Sequence, residues 1–214
     1  MKTQPSRRKF LKSSCLTAGG IGVIACGGLG FAATIKPPLE TPSTSYGDST
    51  MNNRILVTYA TQAGSTAEVA AQVAKTLTDR NPNVDLKPVD KVTDLTPYST
   101  VILGSAIMAG SVLPAAKKFI EKNQAALQAK TLHVFIVCMT LKDDTAENRA
   151  AVSAYLEPVR ALVKPASEGL FTGRYDPKKL SLVLRLVMSM MKTPQGDFRN
   201  WEEIKGWAEN VSLN

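Results

Sequence analysis

The chain reads ILVTYATQAGSTAEVA over residues 55–70. An apolar, β-branched run gives way to a short loop of hydroxyl and small residues, and a helical pattern begins at Ser65. This order predicts a strand, a loop and the amino terminus of a helix. The first N–H groups of a helix lack internal partners, and the helix dipole adds partial positive charge there. The stretch therefore predicts a loop that binds an anion.

The loop has donors that suit a phosphate group. Hydroxyl groups come from Thr61, Ser65 and Thr66, and Gly64 lets the backbone approach a ligand closely. Because the loop contains no Lys or Arg, dipoles and hydroxyl groups are expected to hold the phosphate. The alternative interpretation is an ordinary strand-to-helix turn with a polar cap. The residues assigned to this part of the site are Thr61, Gln62, Ala63, Gly64, Ser65 and Thr66.

The same stretch resembles the phosphate-binding sequence of flavodoxins. The positions that match that pattern are Val57, Tyr59, Thr61, Gly64, Thr66, Ala70 and Val73. Thr58 departs from it, because flavodoxins usually have an apolar residue there. The resemblance implies that FMN is the cofactor and that this loop holds its phosphate.

Two other nucleotide-binding motifs do not apply. No G-x-x-x-x-G-K-[ST] sequence is present, so a lysine-containing nucleoside triphosphate loop is excluded. Residues 20–25 read GIGVIA and match a dinucleotide fingerprint, but no strand precedes them and they lie outside the expected fold.

The amino terminus is typical of a targeting segment. Residues 6–12 read SRRKFLK, which resembles a twin-arginine export signal, and the apolar, Gly-rich stretch 15–33 follows. The alternative is a basic tail before a buried helix, which the many glycines disfavour. That export route carries folded proteins, commonly with a cofactor inserted, so the twin-arginine translocase is an expected partner.

The fate of the chain after export has several alternatives. Residues 23–26 read VIAC and resemble a lipobox, in which Cys26 would be lipidated. Uncut, the apolar span 13–35 covers 23 residues, enough to cross a bilayer at about 20 residues per span. We expect anchoring at the outer, periplasmic face of the cytoplasmic membrane, with a soluble periplasmic or secreted protein as the alternative.

Composition excludes several classes of function. The formal charge is +8, but residues 1–26 hold five basic residues and no acid, which leaves +3 (8 − 5) for the rest. That charge is too small to indicate nucleic-acid binding. Only Cys138 lies in the expected folded part, so no disulfide framework is expected. A lone His133, within an apolar strand, indicates a structural role and no metal site.

The folded part predicts a doubly wound α/β domain. Residues 1–33 form the signal or membrane anchor, 34–50 a flexible linker, and 51–214 one domain. Strands are predicted near 54–59, 84–89, 100–104, 132–139 and 166–171, and helices near 65–79, 113–127, 145–163, 178–192 and 201–211. Continuously apolar strands that alternate with helices predict a parallel sheet with helices on both faces. The flavodoxin-like order of its five strands is 2-1-3-4-5.

That order places the ligand at the carboxyl ends of the first and third strands. A second site loop is predicted at 104–110, with Ile107 and Met108 covering one face of a flat ring. A third loop begins at Met139, where Met139 or Leu141 covers the other face and Asp143 or Asp144 caps the next helix. The residues assigned from these loops are Ser105, Ala106, Ile107, Met108, Gly110, Met139, Thr140 and Leu141. Both loops lack the Trp or Tyr that flavodoxins often stack on the flavin, and plain turns are the alternative.

The carboxyl-terminal part extends beyond a minimal flavodoxin. An apolar, Met-rich helical pattern spans 178–192, and a final helix begins at Trp201. This arrangement resembles the flavodoxin-type, menaquinone-dependent protoporphyrinogen oxidases. The resemblance implies an enzyme that passes electrons from a porphyrinogen-like substrate through FMN to a quinone, with Arg174, Tyr175 and Arg185 as substrate contacts. No general base stands out.

Two alternatives remain open at this level. The protein is either that enzyme or an exported electron carrier that serves a redox protein and has no substrate of its own. Helix 178–192 lies at a membrane interface, forms an apolar wall for a substrate or quinone, or packs as an ordinary core helix.

Overall fold

The computed structural model describes residues 39–48, 50, 52–190 and 193–213. The twin-arginine motif, the apolar stretch 15–33, the span 13–35 and Cys26 lie outside the described residues. The chain divides into two units, and one of them consists of Leu39–Pro177 with Pro194–Asn214. The other includes Lys178–Thr193.

A mostly parallel sheet forms the centre of the larger unit. The strands are β1 (Thr44–Ser45), β2 (Arg54–Ala60), β3 (Val84–Pro88), β4 (Tyr98–Met108), β5 (Ser111–Val112), β6 (Thr131–Val137), β7 (Ser167–Phe171), β8 (Arg174–Tyr175) and β9 (Gly196–Asp197). The main sheet has the order β1-β3-β2-β4-β6-β7, with β5 paired to β4. Its five parallel strands follow the order 2-1-3-4-5, so the predicted fold class is confirmed.

Both faces of this sheet are buried. All residues of β2 are buried, and alternate ones contribute to different core clusters. Leu56 and Ala60 belong to one cluster, whereas Ile55, Val57 and Tyr59 belong to the other. The period of two along a strand explains this division. A continuously apolar strand therefore needs helices on both faces.

Helices of the larger unit cover the two faces. They are α1 (Ser65–Thr78), α2 (Pro114–Lys122), α3 (Gln124–Gln128), α4 (Ala146–Ala154), α5 (Glu157–Arg160) and α7 (Trp201–Asn210). Helix α6 (Leu182–Met190) belongs to the smaller unit. Short 3₁₀ turns occur at Val89–Lys91, Met139–Lys142 and Pro177–Lys179. Buried residues of α1 and α7 share one core cluster, and those of α2 to α5 share the other.

Two helices that the sequence predicts as continuous are interrupted. The predicted helix 113–127 divides at Asn123 into α2 and α3. The predicted helix 145–163 divides into α4 and α5, and a proline occupies the first turn of α5. Proline lacks the N–H that would continue the hydrogen-bond ladder and is favoured in a first turn. The break therefore follows from Pro158.

Part of the stretch predicted as a flexible linker belongs to the sheet. β1 pairs antiparallel with β3, and the N–H of Tyr46 donates to the carbonyl of Val84 at 2.8 Å. The hydroxyl of Tyr59 donates to the carbonyl of Pro42 at 2.8 Å. The described part of 34–50 therefore includes an ordered edge strand, and the prediction of a flexible linker there is wrong, although most of its residues are exposed.

The described residues of the smaller unit contain one apolar helix, α6. Its exposed side chains include Leu182, Val183, Leu186, Val187 and Met190. They recur at a spacing of four residues, with Leu186 63% and Met190 77% exposed. The sequence prediction of a helix in this stretch agrees with α6 over Leu182–Met190. Among the helices of the described residues, none is long and apolar enough to span a bilayer.

Candidate functional site

The phosphate loop of residues 61–66 joins β2 to α1. Gly64 is the N-cap of α1, at φ 90° and ψ −21°, and it has no side chain to accept the first-turn N–H groups. The first helical bond runs from the N–H of Glu68 to the carbonyl of Gly64 at 3.1 Å. Only glycine adopts such a left-handed conformation readily. The loop geometry therefore leaves backbone donors at the helix amino terminus for a ligand.

Two loop hydroxyls each accept one hydrogen bond from a backbone N–H of the fold. Thr61 Oγ1 accepts the N–H of Gly64 at 3.0 Å. Ser65 Oγ accepts the backbone N–H of Arg174 at 2.9 Å. A hydroxyl that accepts one bond keeps its O–H for donation. Both groups are therefore arranged as donors, which is the chemistry that a phosphate oxygen requires, and the residues of this loop fit that group.

The other residues assigned to this loop lie with them. Thr66 is buried, and Gln62 and Ala63 are half-buried between Thr61 and Gly64. Pairing of Tyr59 with Gly104 and of Ala60 with Ser105 places the end of β2 beside the later part of β4. The first two predicted site segments are therefore neighbours in the sheet.

The segment 104–110 is a strand and a tight turn, and the predicted loop is wrong in this respect. β4 continues to Met108, and Ile107 pairs with Val112 of β5. Ala109 and Gly110 make the turn with φ values of 49° and 74°. Two consecutive positive φ values are typical of a two-residue hairpin turn. Pairing with β5 therefore keeps the backbone of small residues extended.

The side chains of this segment differ in what they can offer a ligand. Ser105 is buried, donates to the carbonyl of Ala106 at 2.8 Å and accepts the N–H of Leu113 at 3.0 Å. Its hydroxyl is thus used within the fold. Ala106 and Ile107 are half-buried and pack against the core, whereas Met108 is exposed beside the turn. Met108 has the most surface available to cover a ring.

The third segment is the 3₁₀ turn Met139–Lys142. Leu141 is buried in the core, Met139 is half-buried, and Thr140 is exposed and accepts a bond from the Cys138 thiol at 3.4 Å. The helix that follows is capped by Thr145, which accepts the N–H of Asn148 at 3.1 Å. The prediction that Asp143 or Asp144 caps this helix is wrong, since α4 begins at Ala146, one residue later than a cap at Asp144 requires and two later than a cap at Asp143 requires.

Gly173 joins the first and third segments. A Cβ there would lie 2.9 Å from Val137 Cγ1, 3.4 Å from Ser65 Oγ and 3.7 Å from Met139 Sδ. A side chain at this position would therefore push the chain away from the phosphate loop. This close approach was not predicted, because its only local signal in the sequence is a glycine after a strand.

A model of the flavodoxin domain matches residues 56–201 of this chain. The chain belongs to the flavodoxin domain family. This membership indicates FMN as the cofactor, and the donors of the phosphate loop fit that assignment. No curated protein matches this chain in sequence.

Several solved structures resemble this chain distantly. The flavodoxin of Streptococcus pneumoniae TIGR4 is 20% identical, with a TM-score of 0.45 over 72% of this chain and 94% of that one. The two-electron reduced flavodoxin of Megasphaera elsdenii is 11% identical, with a TM-score of 0.48 over 73% and 99%. The rubredoxin:oxygen oxidoreductase of Desulfovibrio gigas is 14% identical, with a TM-score of 0.45 over 75% of this chain. This chain covers 35% of that oxidoreductase. Such distant similarities do not bear on activity.

Charged side chains lie beside the phosphate loop. The guanidinium of Arg174 donates to Glu68 Oε1 at 2.5 Å, and that of Arg199 donates to Glu68 Oε2 at 2.6 Å. Arg199 also binds Asp197, and this hydrogen bond lowers the pKa of Asp197. Arg174 was predicted as a substrate contact, whereas Arg199 was missed because 131 residues separate it from Glu68.

The other predicted contacts lie elsewhere. Tyr175 is buried, and Arg185 lies in α6 of the smaller unit. His133 is buried, with Nδ1 2.7 Å from Ser167 Oγ and Nε2 2.8 Å from the carbonyl of Ser212. Burial lowers the pKa of His133, against the raising effect of the Ser212 carbonyl. His133 is thus a neutral structural group, and the described residues contain no cluster of possible metal ligands.

Proposed function

We propose that this chain is an FMN-dependent redox protein whose phosphate loop, 61–66, holds the FMN phosphate. The observation that carries the proposal is the N-cap Gly64, whose left-handed backbone leaves the first-turn N–H groups of α1 to a ligand. The hydroxyls of Thr61 and Ser65 add two donors. FMN supplies the transfer of one or two electrons, and the protein supplies binding and orientation.

The exposed surface near the loop supports a role for Met108 in covering the flavin ring. Met108 is exposed at the end of β4, and Met139 lies near Gly173 and Ser65. A thioether is apolar and adaptable, which suits contact with a planar ring. The contribution proposed for these side chains is binding and positioning of the flavin.

We further propose that the protein is an oxidoreductase that oxidises a porphyrinogen-like or similar reduced substrate and reduces a quinone to a quinol. The proposal rests on the resemblance of the carboxyl-terminal part to menaquinone-dependent protoporphyrinogen oxidases. Each pair of hydrogen atoms that the substrate loses reduces one quinone to one quinol. The exposed apolar face of α6 supports it, since such a surface suits a lipid-soluble acceptor.

The segment that contains α6 is inserted between two paired strands. β8 pairs antiparallel with β9 through Arg174 with Asp197 and Tyr175 with Gly196. The chain between these strands therefore leaves and re-enters the domain at one place. The backbone N–H of Arg174 donates to Ser65 Oγ, and this hydrogen bond holds β8 beside the phosphate loop.

Export and membrane association are part of this proposal. The sequence SRRKFLK at 6–12 supports recognition by the twin-arginine translocase, and the span 13–35 or a lipidated Cys26 supports anchoring at the periplasmic face. The apolar face of α6, preceded by Lys178 and Lys179, adds a surface that suits a bilayer with anionic headgroups.

Fractionation of cells tests export directly. The wild-type protein is expected on the periplasmic side of the membrane, and the paired change R7K/R8K is expected to retain it in the cytoplasm. R8K alone is a matched control for charge. Equal distribution of wild-type and R7K/R8K proteins would contradict the proposed route.

Turnover separates the enzyme from an electron carrier, which is the second candidate function. Export favours a carrier, because haem biosynthesis normally lies on the cytoplasmic side. The full chain in detergent is mixed anaerobically with a porphyrinogen and a menaquinone analogue, and the oxidised porphyrin is measured by fluorescence. Sustained turnover that needs both substrate and quinone supports the enzyme. Electron transfer to a cytochrome without such turnover would overturn the enzyme and support the carrier.

A further inference from the structure

Glu68 is bonded to two arginines that come from the carboxyl-terminal part of the chain. Its Oε1 accepts from Arg174 Nη2 at 2.5 Å, and its Oε2 accepts from Arg199 Nη1 at 2.6 Å. Each carboxylate oxygen therefore has its own guanidinium. Hydrogen bonds between ionised groups are among the stronger ones in proteins.

Both arginines are held in place by further contacts. The side chain of Arg199 is 4% exposed, is bonded to Asp197, and lies with its guanidinium carbon 4.4 Å from the ring centre of Trp201. Arg174 is fixed at its backbone, whose N–H donates to Ser65 Oγ at 2.9 Å. Arg174 and Asp197 are also partners in the β8–β9 pairing. These contacts hold the cluster in a fixed position beside the phosphate loop. The cluster consists of Glu68, Arg174, Asp197 and Arg199.

The position of Glu68 explains what the cluster does. Glu68 is the acidic residue of the first turn of α1, three positions after Ser65. A carboxylate there would normally interact with the positive end of the helix dipole. It would also repel a phosphate dianion bound at the same helix terminus, since like charges at short range disfavour each other. Two guanidinium partners offset that repulsion.

We propose that Arg174 and Arg199 neutralise Glu68 and thereby make the phosphate loop selective for a phosphate dianion. The inference rests on the proposed FMN site and deepens it. The arginines are positioning residues that act through Glu68. They set the preference of the site for FMN over riboflavin, which has the same ring and no phosphate. The loop itself contains no basic residue, so its selectivity depends on residues more than 100 positions away.

A charge series at this cluster tests the proposal. The full chain is freed of flavin, and its affinity for FMN and for riboflavin is measured by flavin fluorescence. R174Q keeps the backbone N–H that binds Ser65 and removes one positive charge. It is expected to weaken FMN binding by about tenfold and to change riboflavin binding by less than about twofold. The difference between wild type and R174Q is expected to shrink at high ionic strength.

Glu68→Gln distinguishes neutralisation from direct contact. E68Q is expected to bind FMN at least as tightly as wild type, and R174Q/E68Q is expected to recover most of the lost affinity. The matched control is R160Q, since Arg160 is bonded to Glu157 and Glu168 in a separate cluster. R160Q is expected to bind both flavins like wild type. Thermal unfolding of each flavin-free variant reports whether it is folded.

The outcomes are distinct. Weakened FMN binding in R174Q with recovery in R174Q/E68Q supports the inference. Unchanged FMN binding in R174Q, or weaker binding in E68Q than in wild type, overturns it. A double variant as weak as R174Q also overturns it, because Arg174 would then act by contact with the phosphate. Failure of the wild-type protein to bind FMN would instead overturn the proposed function, and this inference with it.

Discussion

Asp85 offers the sharpest test of how the sheet is stabilised. Its side chain accepts bonds from the guanidinium of Arg54, from Lys87 Nζ at 3.0 Å, from the Tyr98 hydroxyl at 2.6 Å and from the Ser45 hydroxyl. Asp85 is 4% exposed and Arg54 is 2% exposed. Burial opposes ionisation of Asp85, but these hydrogen bonds outweigh it and hold its pKa well below the usual range.

The change Asp85→Asn keeps the size of the side chain and removes its charge. The buried guanidinium of Arg54 then loses its counterion, although it keeps bonds to the carbonyls of Asp48 and Tyr46. Removing one partner of a buried ion pair costs about 3–5 kcal/mol, a large part of a total stability of about 5–15 kcal/mol. Urea denaturation of D85N is expected to show a loss of that size.

The same group predicts how stability depends on pH. The carboxyl titrates near 3.9 in the unfolded chain and at a lower value in the folded protein. Its contribution is therefore complete above the unfolded pKa and is lost as the pH falls through the folded pKa. Wild-type stability is expected to decline below about pH 5, and D85N is expected to decline less steeply.

A control and a functional readout complete this test. Asp94 is an exposed carboxylate bonded to Thr96, and D94N is expected to unfold much like wild type. Arg54, Asp85 and Tyr98 lie at the amino-terminal ends of their strands, opposite the phosphate loop. FMN affinity should therefore be unchanged in D85N. A loss below about 1 kcal/mol, or the same acid dependence as wild type, would refute the reasoning.

Three further changes test the site and its surroundings. Gly64→Ala places a Cβ on a residue with φ 90°, which costs about 1–2 kcal/mol. The variant should bind FMN about tenfold more weakly in a flavin titration. Wild-type affinity would refute this. Gly173→Ala brings a Cβ within 2.9 Å of Val137 Cγ1 and 3.4 Å of Ser65 Oγ, and it should also weaken FMN binding. Unchanged affinity would contradict this. Ala109→Gly relieves a φ of 49° and should raise the free energy of unfolding by about 0.5–1 kcal/mol in urea; a decrease would contradict the strain.

Local sequence patterns were sufficient to predict much of the fold. The apolar run that begins at Ile55, the hydroxyl loop and the helical pattern from Ser65 lie together in sequence, and the structure has β2, the phosphate loop and α1 there. The strand order is the one that the resemblance to flavodoxins implies. Short-range periodicity determines such elements, so the sequence suffices to predict them.

Non-local contacts account for what the sequence could not predict. Small residues at 104–108 favour a loop, but pairing of Ile107 with Val112 keeps them extended. Prolines and hydroxyl residues before Tyr46 favour a solvated linker, but pairing with β3 and the bonds to Asp85 order that edge. The bond between Arg199 and Glu68 joins residues 131 apart and has no local signal.

The flavin content of the full chain is the most direct test of the central claim. The protein is purified in detergent after expression in cells, its visible absorption is recorded, and the flavin released on denaturation is identified by chromatography. We predict a flavin spectrum with FMN in stoichiometric amount. A colourless protein that also fails to take up added FMN would contradict the account.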